Sequence, residues 1–138
     1  MKKILIVSIL FLSGCSTIES LMDRFTISEF DSNEYQLITQ IRTYSEISKP
    51  FCSNKYEVKP YVDKIYVLAF ELKNYSEHLP KNNQTIKPVN LLFTLVDDMN
   101  KRYKVEGDVN KTYCDLKLQS ISTAANNIQK AVARRPRP

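Results

Sequence analysis

The chain has 138 residues, a formal net charge of +5, 43% hydrophobic residues, two Gly, three Cys, one His and no Trp. That length fits one domain, and the hydrophobic fraction is enough for a packed core, which excludes wholesale disorder. Gly14 and Gly107 are the only glycines, so neither a dinucleotide fingerprint nor a phosphate-binding loop can be written. The single His78 leaves no His-rich metal site and no ready His-based triad.

The chain opens with Lys2 and Lys3, then an apolar run from Ile4 to Leu12, then Ser13-Gly14-Cys15. A charged start, a short apolar stretch and a small-residue exit read as a secretory signal, and the run is far short of the ~20 residues a membrane span needs. Leu12-Ser13-Gly14-Cys15 resembles the lipobox of bacterial lipoproteins. In that family the peptide is cut before the cysteine. The cysteine thiol takes a diacylglycerol and its new amine a fatty acyl chain such as palmitate. The resemblance implies a signal peptide over 1–14, a lipidated tether over 15–26 and Cys15 as the acylated residue. Several acyl chains, at ~0.8 kcal/mol per buried methylene, anchor a protein where one would not. Ser16, where Asp tends to retain such proteins in the inner membrane, implies the outer membrane, facing the periplasm. Cleavage removes Lys2 and Lys3, and the milder charge that remains has no dense basic stripe. No nucleic-acid partner is expected.

With Cys15 lipidated, Cys52 and Cys114 are left as one natural pair in an oxidising compartment. A disulfide closing a loop of about 60 residues contributes roughly 4 kcal/mol in the chain-entropy model. The competing reading, a catalytic thiol beside His78, needs an adjacent imidazole that nothing in the sequence supplies. Two Cys and one His do not make a structural zinc site, so no metal or other cofactor is expected.

The remainder predicts an all-α fold, a domain over 27–133 followed by a basic flexible tail over 134–138. Thr26-Ile27-Ser28-Glu29 spells a capping box, which predicts a first helix over 27–48 with Phe30, Leu37, Ile41 and Tyr44 on its stripe, Tyr35 and Ile38 widening it, and Pro50 ending it. The second helix shows the most regular spacing. Val58, Tyr61, Ile65, Leu68, Leu72, Tyr75 and Leu79 alternate by three and four, with Pro60 placed in the first turn and Pro80 at the end. A third helix is predicted over 87–104, opened by Pro88 and carrying Val89, Leu92, Val96, Met99 and Tyr103, with Gly107 as its stop. Asp108 is expected to cap a fourth, whose stripe is Cys114, Leu118, Ile121, Ala125, Ile128 and Val132. Four amphipathic helices joined by turns near 50–57, 80–86 and 105–108 make an up-down bundle. In that topology Cys52 and Cys114 fall at the same pole, so fold and disulfide support each other.

Catalytic constellations are missing from the pattern. Asp97 and Asp98 are neighbours on a helix and point ~100° apart. Asp63, Glu71 and Glu77 share a helix without a partner motif, and no nucleophile elbow, zincin or calcium-loop motif occurs. The eight tyrosines divide into core positions (Tyr61, Tyr75, Tyr103) and a set, Tyr35, Tyr44, Tyr56, Tyr66 and Tyr113, that either covers the core or lines a partner groove. Leu91, Phe93 and Leu95 make the third helix apolar beyond one stripe, either through deep burial or through contact with another protein. The tail Arg134-Arg135-Pro136-Arg137-Pro138 either complements a helix dipole or meets an anionic surface.

An exported lipoprotein with four helices and a disulfide from the first interhelical turn (Cys52) to the start of the last helix (Cys114) resembles the helical pilotins of type II secretion. The resemblance implies a non-enzymatic adaptor that takes an amphipathic peptide, such as a secretin tail, into a groove between helices. The Arg-Pro tail and the Tyr-rich stripes depart from that family and place the partner in question. Two further functions are compatible with the sequence: a phage or mobile-element lipoprotein for superinfection exclusion or envelope disruption, and a structural tether from membrane to cell wall.

Overall fold

The computed structural model describes residues 27–105 and 109–138. The signal peptide, Cys15, Ser16, the tether, Thr26, Gly107 and Asp108 lie outside the described residues. The described chain folds as four helices: α1 (Ser32–Ser48), α2 (Lys55–His78), α3 (Asn83–Val105) and α4 (Lys111–Ala133), with a single 3-10 turn at Lys49–Phe51 between the first two. Each helix packs on its two neighbours around a square, α1 on α2 and α4, α3 on α2 and α4, and across the diagonals the described backbones do not approach closely, α1 and α3 touching through the Glu34 and Thr85 side chains. Short connections force successive helices antiparallel, and the result is the expected up-down four-helix bundle. The Cys52–Cys114 disulfide joins residues 62 apart in sequence, with Cα atoms 5.6 Å apart, at the pole where α1 ends and α4 begins.

The helix starts differ from those predicted. Helix α1 begins at Ser32, because Asp31 holds extended geometry and its Oδ1 accepts from the Glu34 backbone N–H at 2.7 Å. Glu29 therefore lies in the lead before the helix and does not close a capping box. Asn54 caps α2 through Tyr56 N–H at 3.0 Å, which puts Pro60 in the second turn rather than the first. Helix α3 starts a full turn early, at Asn83, and encloses Pro88, the Asn82 carbonyl accepting from the Thr85 and Ile86 N–H groups. Asn110, not Asp108, caps α4, accepting from Thr112 N–H at 2.7 Å. Near an N-terminus the first backbone N–H groups lack intrahelical partners, so a short polar side chain decides where the helix begins, whereas Pro60 and Pro88, each the sixth residue of its helix, lie beyond those groups and forgo one intrahelical bond.

The core stripes of α3 and α4 are those the spacing predicts, Val89 to Tyr103 and Cys114 to Val132, each residue at most 4% exposed. On α2 the buried face departs from the predicted line at its two tyrosines. Val58, Val62, Ile65, Leu68, Ala69, Leu72 and Ser76 are buried, so the predicted Val58, Ile65, Leu68 and Leu72 hold, while Tyr61 and Tyr75 sit half-buried on the flank. Val62 and Ser76 lie inward in their place, and the Tyr75 hydroxyl meets Asp31 and Asn33 on the flank. Helix α1 buries Ser45 and Ser48 at its inner end, their hydroxyls returned to the Ile41 and Ser45 carbonyls at 2.8 and 3.2 Å.

Candidate functional site

Three surfaces carry chemistry beyond packing. The first is the pole opposite the disulfide, where residues 27–31, the α2–α3 loop and the C-terminal segment meet. Glu34, fully buried on α1, pairs with Arg135, whose side chain is 6% exposed. Glu34 Oε1 also accepts from Ser76 Oγ at 3.1 Å and Asn82 Nδ2 at 3.0 Å, and Arg135 Nη2 donates to Asn82 Oδ1 at 2.6 Å and Thr85 Oγ1 at 2.7 Å. Phe30 N–H donates to the Pro136 carbonyl at 2.8 Å, and the Arg137 guanidinium lies 5.1 Å from the Phe30 ring. The expected free basic tail over 134–138 is corrected here. Its middle arginine is inside the protein, because an unpaired Glu34 carboxylate in the core would be far more costly than ordering a few terminal residues.

The second surface is a polar groove of about 340 Å³ between α1 and α2, floored by Leu37 and Leu68 and walled by Asn33, Gln40, Lys64 and Glu71. Tyr75 closes one end, donating to Asp31 Oδ2 at 3.1 Å and accepting from Asn33 Nδ2 at 3.3 Å.

The third lies on the outer face of α2 and α3. Tyr66, Phe70 and Phe93 form a triangle of rings with centroids 5.9–6.5 Å apart. Phe70 is 48% and neighbouring Val67 55% exposed. Lys104 lies 5.4 Å from the Tyr66 ring and Lys73 6.0 Å from the Phe93 ring, so the apolar patch has a cation on either side. Leu91 of α3 is 61% exposed, while Phe93 and Leu95 are half-buried, so the extra apolar residues of α3 divide between core margin and open surface.

The remaining candidate tyrosines do not converge on one groove. Tyr35 packs on Phe30 at one pole, Tyr56 is 87% exposed at the other, Tyr44 is half-buried on α1, and Tyr113 lies beneath Arg102 at 4.0 Å. Among the described residues no thiol stands beside an imidazole. Cys52 and Cys114 are bonded to each other, and His78 sits at the far end of α2, its Nδ1 2.8 Å from the Asn74 carbonyl. The carboxylates singled out in sequence are mostly held by lysines: Asp97 by Lys101 at 2.6 Å, Asp63 by Lys59 at 2.6 Å, Glu77 by Lys73 at 3.0 Å. The hydrogen bond from Lys101 to Asp97 raises that ammonium above its ordinary range. Asp98 faces Lys117 more loosely, at 3.7 Å, and Glu71 walls the polar groove. Among the described residues no group of His, Cys, Asp and Glu is placed to hold a metal, and no helix is long and apolar enough to cross a membrane.

Sequence reading missed Glu34. The signal was present: 34, 38, 41, 45 and 48 alternate by four and three, so a carboxylate stands at a seam position of α1. Its partner could not be read, because Arg135 lies 101 residues away in the chain. Comparison of the chain with protein-family models, with curated proteins and with solved structures finds no match.

Proposed function

We propose that the chain is a lipid-anchored adaptor of the bacterial envelope, acylated on Cys15, held in the outer membrane facing the periplasm, non-enzymatic, and pilotin-like in engaging a segment of an envelope assembly. The observation that carries this reading is Leu12-Ser13-Gly14-Cys15 directly after the apolar run. The disulfide-closed bundle supports it, since a cystine of buried residues suits an oxidising compartment. The lysine-flanked rings of Tyr66, Phe70 and Phe93 are the surface best suited to a partner helix with an apolar stripe and acidic flanks. The wall-tether alternative draws less support, because Arg135 faces Glu34 instead of solvent.

The test is a pull-down from detergent-solubilised envelopes with the native protein and a Cys15→Ala control, with mass spectrometry of the chain and of what accompanies it. An acylated chain that recovers a secretin or another envelope-machine subunit supports the adaptor. Recovery of a single surface receptor favours the exclusion alternative, and recovery of peptidoglycan alone favours the tether.

A further inference from the structure

We infer that the pole opposite the disulfide is a membrane-contact surface that lies on anionic phospholipid headgroups. The inference deepens the lipoprotein reading and rests on acylation of Cys15.

Two observations place the surface. The first is where the described chain begins. Ile27 enters at this pole, beside the Pro136 carbonyl that accepts from Phe30. Twelve peptide steps separate Cys15 from Ile27, so even a fully extended connection spans only about 40 Å. An anchor at Cys15 therefore holds the bundle within that reach of the bilayer, with the chain entering it at this pole. The second is charge. Lys81, Lys87, Lys130, Arg134 and Arg137 are all exposed here, on the α2–α3 loop, the first turns of α3 and the end of α4 with its tail. Among the described residues, the exposed carboxylates at this end are Glu29 and Glu77, and Glu77 is already paired with Lys73. Asp31 is occupied as the α1 cap and by Tyr75. At the same pole an open cleft of about 570 Å³ is lined by Ile27, Ser28, Glu29, Pro80, Lys81 and Pro136, so one cation and one carboxylate stand among its apolar walls. An excess of exposed cations over carboxylates at this pole complements a bilayer surface whose phosphates are anionic.

Burial of Arg135 also bears on this surface. The Glu34–Arg135 pair fixes the C-terminal segment against the lead, so Arg134 and Arg137 stand at defined places on the pole. Each cation at an anionic surface strengthens contact by roughly fivefold, an effect that fades within a Debye length of ~10 Å at moderate salt.

The experiment uses the full acylated protein in phosphatidylcholine vesicles with and without phosphatidylglycerol. An amine-reactive reagent probes the lysines, read by mass spectrometry. The expected result is several-fold protection of Lys81, Lys87 and Lys130 when phosphatidylglycerol is present. Lys104 and Lys111, towards the disulfide end, should be unchanged, and high salt should remove the effect. A variant carrying Lys81→Asn, Lys130→Gln, Arg134→Gln and Arg137→Gln alters only exposed side chains. It should melt like the parent and lose the protection of Lys87. Equal labelling in both vesicles, protection by isolated peptidoglycan in place of lipid, or undiminished protection of Lys87 in the variant would each overturn the inference alone. A chain mass showing no acyl group would overturn the lipoprotein reading and this inference with it.

Discussion

Glu34 and Arg135 stand 101 residues apart in the chain and form an ion pair inside the protein, with side chains 0% and 6% exposed. The pair ties the start of α1 to the segment that follows α4, and Asn82 and Thr85 bind both members, so the α2–α3 connection joins the same knot. Three breaks in the helical framework are closed by one polar cluster.

Removing one partner strands the other. Arg135→Ala is expected to cost about 3–5 kcal/mol by leaving the Glu34 carboxylate buried and unpaired. Glu34→Ala with Arg135→Ala should cost clearly less than the sum of the single changes. Urea denaturation of the four proteins measures the coupling, and additive costs would contradict it.

The disulfide acts at the opposite pole. Cys52 and Cys114 are 2% and 0% exposed, so the native protein should resist alkylation and mild reductant. Replacing both by Ala should keep the helical circular-dichroism spectrum and lower stability by about 4 kcal/mol. A double variant as stable as the parent would show that the unfolded chain gains little freedom when the link is cut.

Tyr103 predicts an alkaline transition. Burial, reinforced by negative charge on Tyr113 and Asp115, pushes its phenol from an ordinary value of 10.0 to about 12. Below pH 10 both folded and unfolded states hold the proton, and stability is unaffected by this group. Between about pH 10 and 12 the unfolded state releases it first, so stability falls with rising pH, by at most ~1.4 kcal/mol per unit. Its hydroxyl finds no hydrogen-bond partner among the described residues, so Tyr103→Phe should be neutral or stabilising by about 1 kcal/mol near neutrality. The same variant should flatten its share of the alkaline fall, which unfolding curves for parent and variant at a series of pH values measure directly.

Phe70 separates partner contact from folding. Because it is 48% exposed, Phe70→Ser should change stability by less than about 1 kcal/mol while cutting recovery of an envelope partner severalfold. Unchanged recovery would move the docking surface elsewhere, with the α1–α2 groove beside Tyr75 the next to test.

The helices were legible because period is a local property. Val89, Leu92, Val96, Met99 and Tyr103, or Cys114 through Val132, repeat at helical spacing whatever they face, and the structure buries each of them. The α2 seam shows where period stops being enough. Tyr61 and Val62 fit the same three-four alternation, and only a neighbour at close range selects the smaller one. Helix starts were less legible, since Asp31, Asn54 and Asn110 compete with other short polar residues nearby, and the choice falls to whichever reaches an open N–H. The candidate site was the least legible. Tyr66, Phe70 and Phe93 belong to two helices and become one patch only across their interface.

By itself, then, the sequence determined the four helices, their up-down order and the pairing of Cys52 with Cys114, because spacing, loop length and cysteine number are written along one dimension. Tertiary structure alone decided that Arg135 turns inward to Glu34 while Arg134 and Arg137 stay in solvent. A buried charge is tolerated only where an opposite charge from a distant part of the chain reaches it, and such a meeting leaves no periodic trace in the sequence.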